Sequence, residues 1–151
     1  MGCNMIKNIS FILMFALLLN ACDNAPARKG GGKFGMLDVG NPEFAAIEFF
    51  DQIYHSKNIE GAIKVSTPKM GRLLRSYHTN KGAQKHVLNM RFDKVSIQSK
   101  TRSAGRSEFA KKTQMSIFFD GVLHGDISKD MRTVNLVKVD NDWKVDSVSL
   151  E

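Results

Sequence analysis

The apolar spacing of this chain changes period once, near Arg91, and that change limits the folds it can reach. Before it, apolar residues recur at helical intervals. Asn41-Pro42-Glu43 has the form of a helix start, an N-cap, then a proline in the first turn and an acid near the positive end of the helix dipole. Phe44, Ala45, Ile47, Phe50, Ile53 and Tyr54 then share one face of an opening helix over 43–54. Asn58 can cap a short helix over 59–65, with Ala62 and Ile63 inward. Ser66-Thr67-Pro68 breaks the chain, and a third helix is expected over 69–77. Gly82 loosens the next segment, before a further short helix over 83–90. After Arg91 the period falls to two, beginning with Phe92, Val95 and Ile97. A polar turn around Gly105 leads to a strand over 107–119. Asp120-Gly121 has the composition of a hairpin turn, and 122–127 returns from it. Residues 131–139 are rich in β-branched side chains, Asp140-Asn141 turns, and 143–150 closes the chain with Trp143 and Val145 on one face. Helices first and antiparallel strands after predict an α+β fold, helices on one face of a bent sheet.

The head of the chain has another character. Lys7 supplies a positive charge, and residues 9–19 form an apolar run broken only by Ser10. That run suits a secretory signal and is too short for a membrane-spanning helix, which needs about 20 apolar residues. Met5-Ile6-Lys7 makes a more ordinary signal start than Met1. The run ends in Leu19-Asn20-Ala21-Cys22, which resembles the lipobox of bacterial lipoproteins, with Asn20 a less usual residue at its position. The resemblance implies diacylglycerol on the Cys22 thiol, removal of residues 1–21 and a membrane anchor; two or more acyl chains hold firmly where one does not. Asp23 after the lipidated cysteine implies retention on the inner membrane in preference to the outer.

Both cysteines, Cys3 and Cys22, lie in this head. The body therefore has no disulfide and must fold by packing alone. The chain holds 22 basic and 15 acidic residues, net +7, and loses only Lys7 among them with the signal. A basic balance suggests nucleic acid in a cytosolic protein. Export argues against that, and leaves a membrane surface of anionic lipid, an acidic envelope polymer or an acidic partner protein. Residues 24–41, with Gly30-Gly31-Gly32 after Ala25-Pro26-Ala27, read as a flexible tether reaching about 25 Å. The expected organisation is a signal over 1–21, lipidated cysteine and tether over 22–41, and one α+β domain over 42–151.

The opening helix, the short helix after it and the ending NLVKVDNDWKVDSV, with Val137, Asp140, Trp143 and Val145, resemble the nuclear-transport-factor-2-like (cystatin-like) superfamily over about 42–151. The resemblance implies helices on a curved antiparallel sheet that curls into a cone, whose mouth can hold a small apolar ligand or an active site. Tyr54, Tyr77 and His124 are the candidates to line it. His124 and Asp126 would share a strand face, but no nucleophile accompanies them. The four histidines show no metal-binding spacing, so no metal and no cofactor are expected. Lys69, Arg72, Arg75, His78, Lys81 and Lys85 recur every three or four positions, a basic stripe opposite Met70, Leu73, Leu74 and Tyr77. Lys69, Arg72, Arg75, Lys81 and Lys85 are the candidate contacts for an anionic surface; Arg102, Arg106, Lys111 and Lys112 add a second basic region. The function these features favour is that of a membrane-anchored, non-enzymatic module binding a ligand or partner. The alternatives are a small-molecule enzyme using the cone and an immunity or accessory protein of an envelope complex.

Overall fold

Four helices precede four strands: α1 (Pro42–His55), α2 (Glu60–Lys64), α3 (Pro68–Tyr77), α4 (Asn80–His86), β1 (Lys94–Ser99), β2 (Lys112–Leu123), β3 (Asp126–Val139) and β4 (Asp142–Ser149). They are seen in a computed structural model that describes residues 40–99 and 110–149. The signal, Cys22, the tether up to residue 39, the turn around Gly105, and Arg102 and Arg106 lie outside the described residues. The strands pair antiparallel with their sequence neighbours in one open sheet, order β1-β2-β3-β4. The helices pack on one face of it, and α1 touches all four strands. The class is α+β, as the change of period predicts.

Helix α1 starts as its sequence directs: the Asn41 side chain accepts from the Glu43 N–H at 3.0 Å, and Pro42 holds the first turn. Its buried surface is wider than the expected stripe and includes Ala46 and Phe49. The extra width has a partner, because α2 and α4 cover the flank of α1 that the sheet leaves open. The N-cap of α2 is Ile59, which has no capping side chain; the expected cap, Asn58, lies one residue earlier and accepts from the Glu60 N–H at 3.2 Å in the turn that leads into the helix.

The helix expected over 83–90 forms earlier, as α4. Thr79 caps it through the Gly82 N–H at 3.0 Å. Gly82 does not loosen the helix: it lies in the first turn, where a Cβ would come 2.6 Å from the Tyr77 carbonyl. The close return of the chain requires glycine there.

The hairpin turn at Asp120-Gly121 is not formed. Strand β2 runs through both residues to Leu123, and the return strand is β3, not 122–127. The turn is His124-Gly125, with φ of 54° and 95°, a two-residue loop in the left-handed region. Gly121 answers a different need. A Cβ on it would lie 2.5 Å from both the Lys94 carbonyl and the Phe92 ring. With His124 in the turn, the shared strand face of His124 and Asp126 does not exist. The Asp140-Asn141 turn forms as expected, with φ of 49° and 72°.

The core lies between α1 and the inward face of the sheet. Met115, Ile117 and Phe119 of β2, Val134 and Leu136 of β3, and Val145 of β4 are buried against Phe49, Phe50 and Ile53. Phe50 meets Phe49 and Phe119 edge to face, at centroid distances of 5.1 and 4.9 Å.

Candidate functional site

Helix α3 is pinned to the edge of the sheet. Thr67 donates its N–H to the Val145 carbonyl at 2.9 Å, and the Val145 N–H returns to the Val65 carbonyl at 2.9 Å. The register of β3 and β4 slips between Asn135 and Leu136, which leaves Asp146 as the extra residue of a bulge. Its carboxylate accepts from the Thr67 hydroxyl at 3.0 Å, and the same hydroxyl oxygen accepts from the Met70 N–H at 3.3 Å as the α3 N-cap. One threonine thus fixes both the start of α3 and its seat on β4.

Beside this joint runs a half-open groove of ≈ 300 Å³, walled by Lys69, Met70 and Leu73 of α3, Val87, and Asp146, Ser147 and Val148 of β4. Its titratable groups are Lys69 and Asp146, and Asp146 is already held by Thr67. The groove has an apolar floor and no base poised beside a nucleophile.

The five basic candidates lie on two successive helices that touch each other. Lys69, Arg72 and Arg75 of α3 and Lys81 and Lys85 of α4 are all exposed. None of these side chains is ion-paired among the described residues. Leu73, expected on the inward side, is 43% exposed and stands beside them. A plain count of the sequence carries a signal that stripe-reading misses: residues 61–92 hold seven Lys or Arg and no Asp or Glu. Every acid of the chain lies elsewhere, so charge is segregated by segment.

The three pocket candidates do not line the groove. Tyr54 is part of the core, its ring 5.9 Å from Phe92 and 6.0 Å from Phe119. Tyr77 stacks on His86, centroids 5.0 Å apart and planes 10° off parallel. His124 is exposed in its turn, with its backbone N–H held by Asp93 at 2.6 Å.

Around Tyr54 the structure assembles a polar cluster that sequence reasoning passes over. Arg132 is only 3% exposed and lies in phase with Val134 and Leu136 on the inward face of β3. Its guanidinium donates to the carbonyls of Leu88 (3.1 Å), Asn89 (3.5 Å) and Met131 (2.6 Å) and pairs with Asp130. The Tyr54 hydroxyl donates to the Met90 carbonyl at 2.8 Å. Three consecutive carbonyls after α4 are thereby satisfied from the core side, and this segment closes over the aromatic interior. Burial pushes the Tyr54 phenol well above its usual value; the Arg132 charge opposes this and Asp130 adds to it. A neutral, spoken-for phenol is a staple rather than an acid–base group. The signal in the sequence is a lone arginine in the inward phase of an otherwise apolar strand.

His55 and Asp51 form a histidine–carboxylate pair, Nδ1 to Oδ1 at 2.7 Å. The other ring nitrogen faces the Val95 carbonyl at 3.0 Å. Each ring nitrogen faces an oxygen acceptor, so the imidazole sits between the end of α1 and edge strand β1, with its N–H available to one acceptor or the other. Among the described residues no group of three or more His, Cys, Asp or Glu could hold a metal ion.

Comparison with protein-family models, curated proteins and solved structures found no match to this chain.

Proposed function

We propose that this chain is a bacterial envelope lipoprotein whose body is a non-enzymatic binding module. In this reading residues 1–21 are removed, Cys22 carries diacylglycerol, and residues 22–41 tether a nuclear-transport-factor-2-like domain at the membrane. The helices-first order and the strands that come after as a meander support that superfamily. The observation that carries the binding role is the exposed basic residues of α3 and α4, which have no ion-pair partner among the described residues and come from a segment without a single acid. A catalytic cone has less support. The space between α1 and the sheet holds Phe49, Phe50, Tyr54, Phe92 and Phe119, packed ring against ring.

Three measurements test this. Mass spectrometry of the protein from its native membranes is expected to find an N-terminus at Cys22 bearing acyl chains; a bare thiol, or residues 1–21 still attached, would end the anchor reading. Replacing Cys22 by Ser is expected to leave the chain unacylated and shift it out of the firmly held membrane fraction. Photo-crosslinkers at Arg72 and Lys85 in intact cells are expected to capture a lipid or an acidic partner. Equal labelling from Lys129, on the far hairpin, would refute the binding face.

A further inference from the structure

Helix α3 turns an unusual combination outward. At about 100° per residue, Arg72, Ser76, Lys69 and Leu73 fall within about 100° of arc, and Arg75 lies about 60° beyond Arg72, on the flank of the helix. All five are exposed. The apolar member, Leu73, is flanked by long cationic side chains, and neither α3 nor α4 carries an acid to neutralise them. Lys81 and Lys85 extend the same charge along α4.

We propose that the outer face of α3 rests on an anionic phospholipid surface, Leu73 entering at the headgroup level and Lys69, Arg72 and Arg75 meeting lipid phosphates. The pattern is that of an interfacial helix: a projecting apolar side chain, with cationic side chains whose stems lie along the surface while their heads reach the phosphates. A protein partner fits this face less well. Protein hot spots centre on clustered aromatic and apolar anchors, whereas on the outward arc of α3 Leu73 is the one apolar side chain; the other apolar walls of the groove, Met70, Val87 and Val148, lie behind it. The proposal rests on the anchored reading, because a tether keeps the bilayer at high local concentration and a few charges then suffice. Each neutralised Lys or Arg is expected to lower surface occupancy about fivefold. Docked this way, the domain is oriented with its groove beside the membrane rather than free to tumble.

The test uses the full lipidated chain carrying Leu73→Trp, reconstituted into vesicles of phosphatidylcholine with or without phosphatidylglycerol, both with brominated acyl chains. The wild-type chain, whose one tryptophan is Trp143 on β4, sets the baseline. The introduced indole is expected to be quenched in the anionic vesicles. Quenching should disappear in pure phosphatidylcholine and in about 1 M salt, where the Debye length is about 3 Å, while the protein still floats with the vesicles. The combined variant Arg72→Gln, Arg75→Gln, Lys85→Gln should lose quenching in the same way with its fold intact by circular dichroism. An indole unquenched on anionic vesicles, or equally quenched on neutral ones, overturns the proposal. So does protection of this face by an acidic polypeptide in place of lipid. Loss of flotation in high salt alone would instead refute the anchor, and quenching at low salt would still support the face.

Discussion

Arg132 shows how one side chain can hold a segment that has no regular structure. Its hydrogen bonds reach the Leu88 and Asn89 carbonyls, and a buried carbonyl left without a donor costs about 1–3 kcal/mol. Replacing Arg132 by Met should therefore destabilise the domain by about 3 kcal/mol in urea unfolding. Asp130→Asn should cost less than about 1 kcal/mol, because Asp130 is 40% exposed and its half of the ion pair is screened by water. Similar losses from the two changes would mean that the ion pair, not the carbonyls, carries the energy. Tyr54→Phe should cost about 1 kcal/mol and also remove a pH dependence. Burial raises the folded phenol above its unfolded value near 10, so the neutral form favours folding. That stability is fully present below about pH 10 and is lost as pH rises toward the folded value. The wild-type midpoint should fall in this alkaline range by a step that the phenylalanine variant lacks. Neither role can be read from the sequence. Spacing puts Tyr54 on the correct helix face, but whether a phenol borders a pocket or staples a segment depends on which carbonyl arrives opposite it.

Among the elements, the joint of α3 with β4 and the hairpin of β2 with β3 are the most exacting. Thr67→Ala removes the cap and the bond to Asp146 together, so a loss of about 1–2 kcal/mol is expected by chemical denaturation. Thr67→Ser should recover most of it. In the hairpin, His124 occupies a position where Asn before Gly is preferred. His124→Asn should leave thermal stability unchanged or raise it by a few degrees, as the left-handed backbone at this position favours Asn. Gly121→Ala should be strongly destabilising, since its Cβ would meet backbone at 2.5 Å. Helix starts at Asn41 and Thr67-Pro68 could be read because capping is local chemistry. The hairpin could not: Asp120-Gly121 and His124-Gly125 both offer glycine, and the choice depends on Phe92 and Lys94 packing over the first of them.

At the scale of the molecule, charge is uneven. Seven cations within residues 61–92 repel one another without acids among them. Raising ionic strength from about 0.01 M to about 0.15 M shortens the screening length from about 30 Å to about 8 Å. Thermal stability should then rise, whereas a fold held by surface ion pairs would lose stability; a falling midpoint would count against charge segregation as a strain on this fold. The sequence alone determined the class, that the helices precede the strands, and the capped helix starts, because periodicity and capping act over a few residues. It also held the whole of the charge segregation, which needs only counting. Tertiary structure alone decided where β2 ends, which faces α1 buries, that Leu73 stands outside, and that Arg132 goes inside. Each of these depends on atoms that are distant along the chain and meet only after the sheet has closed over the helices.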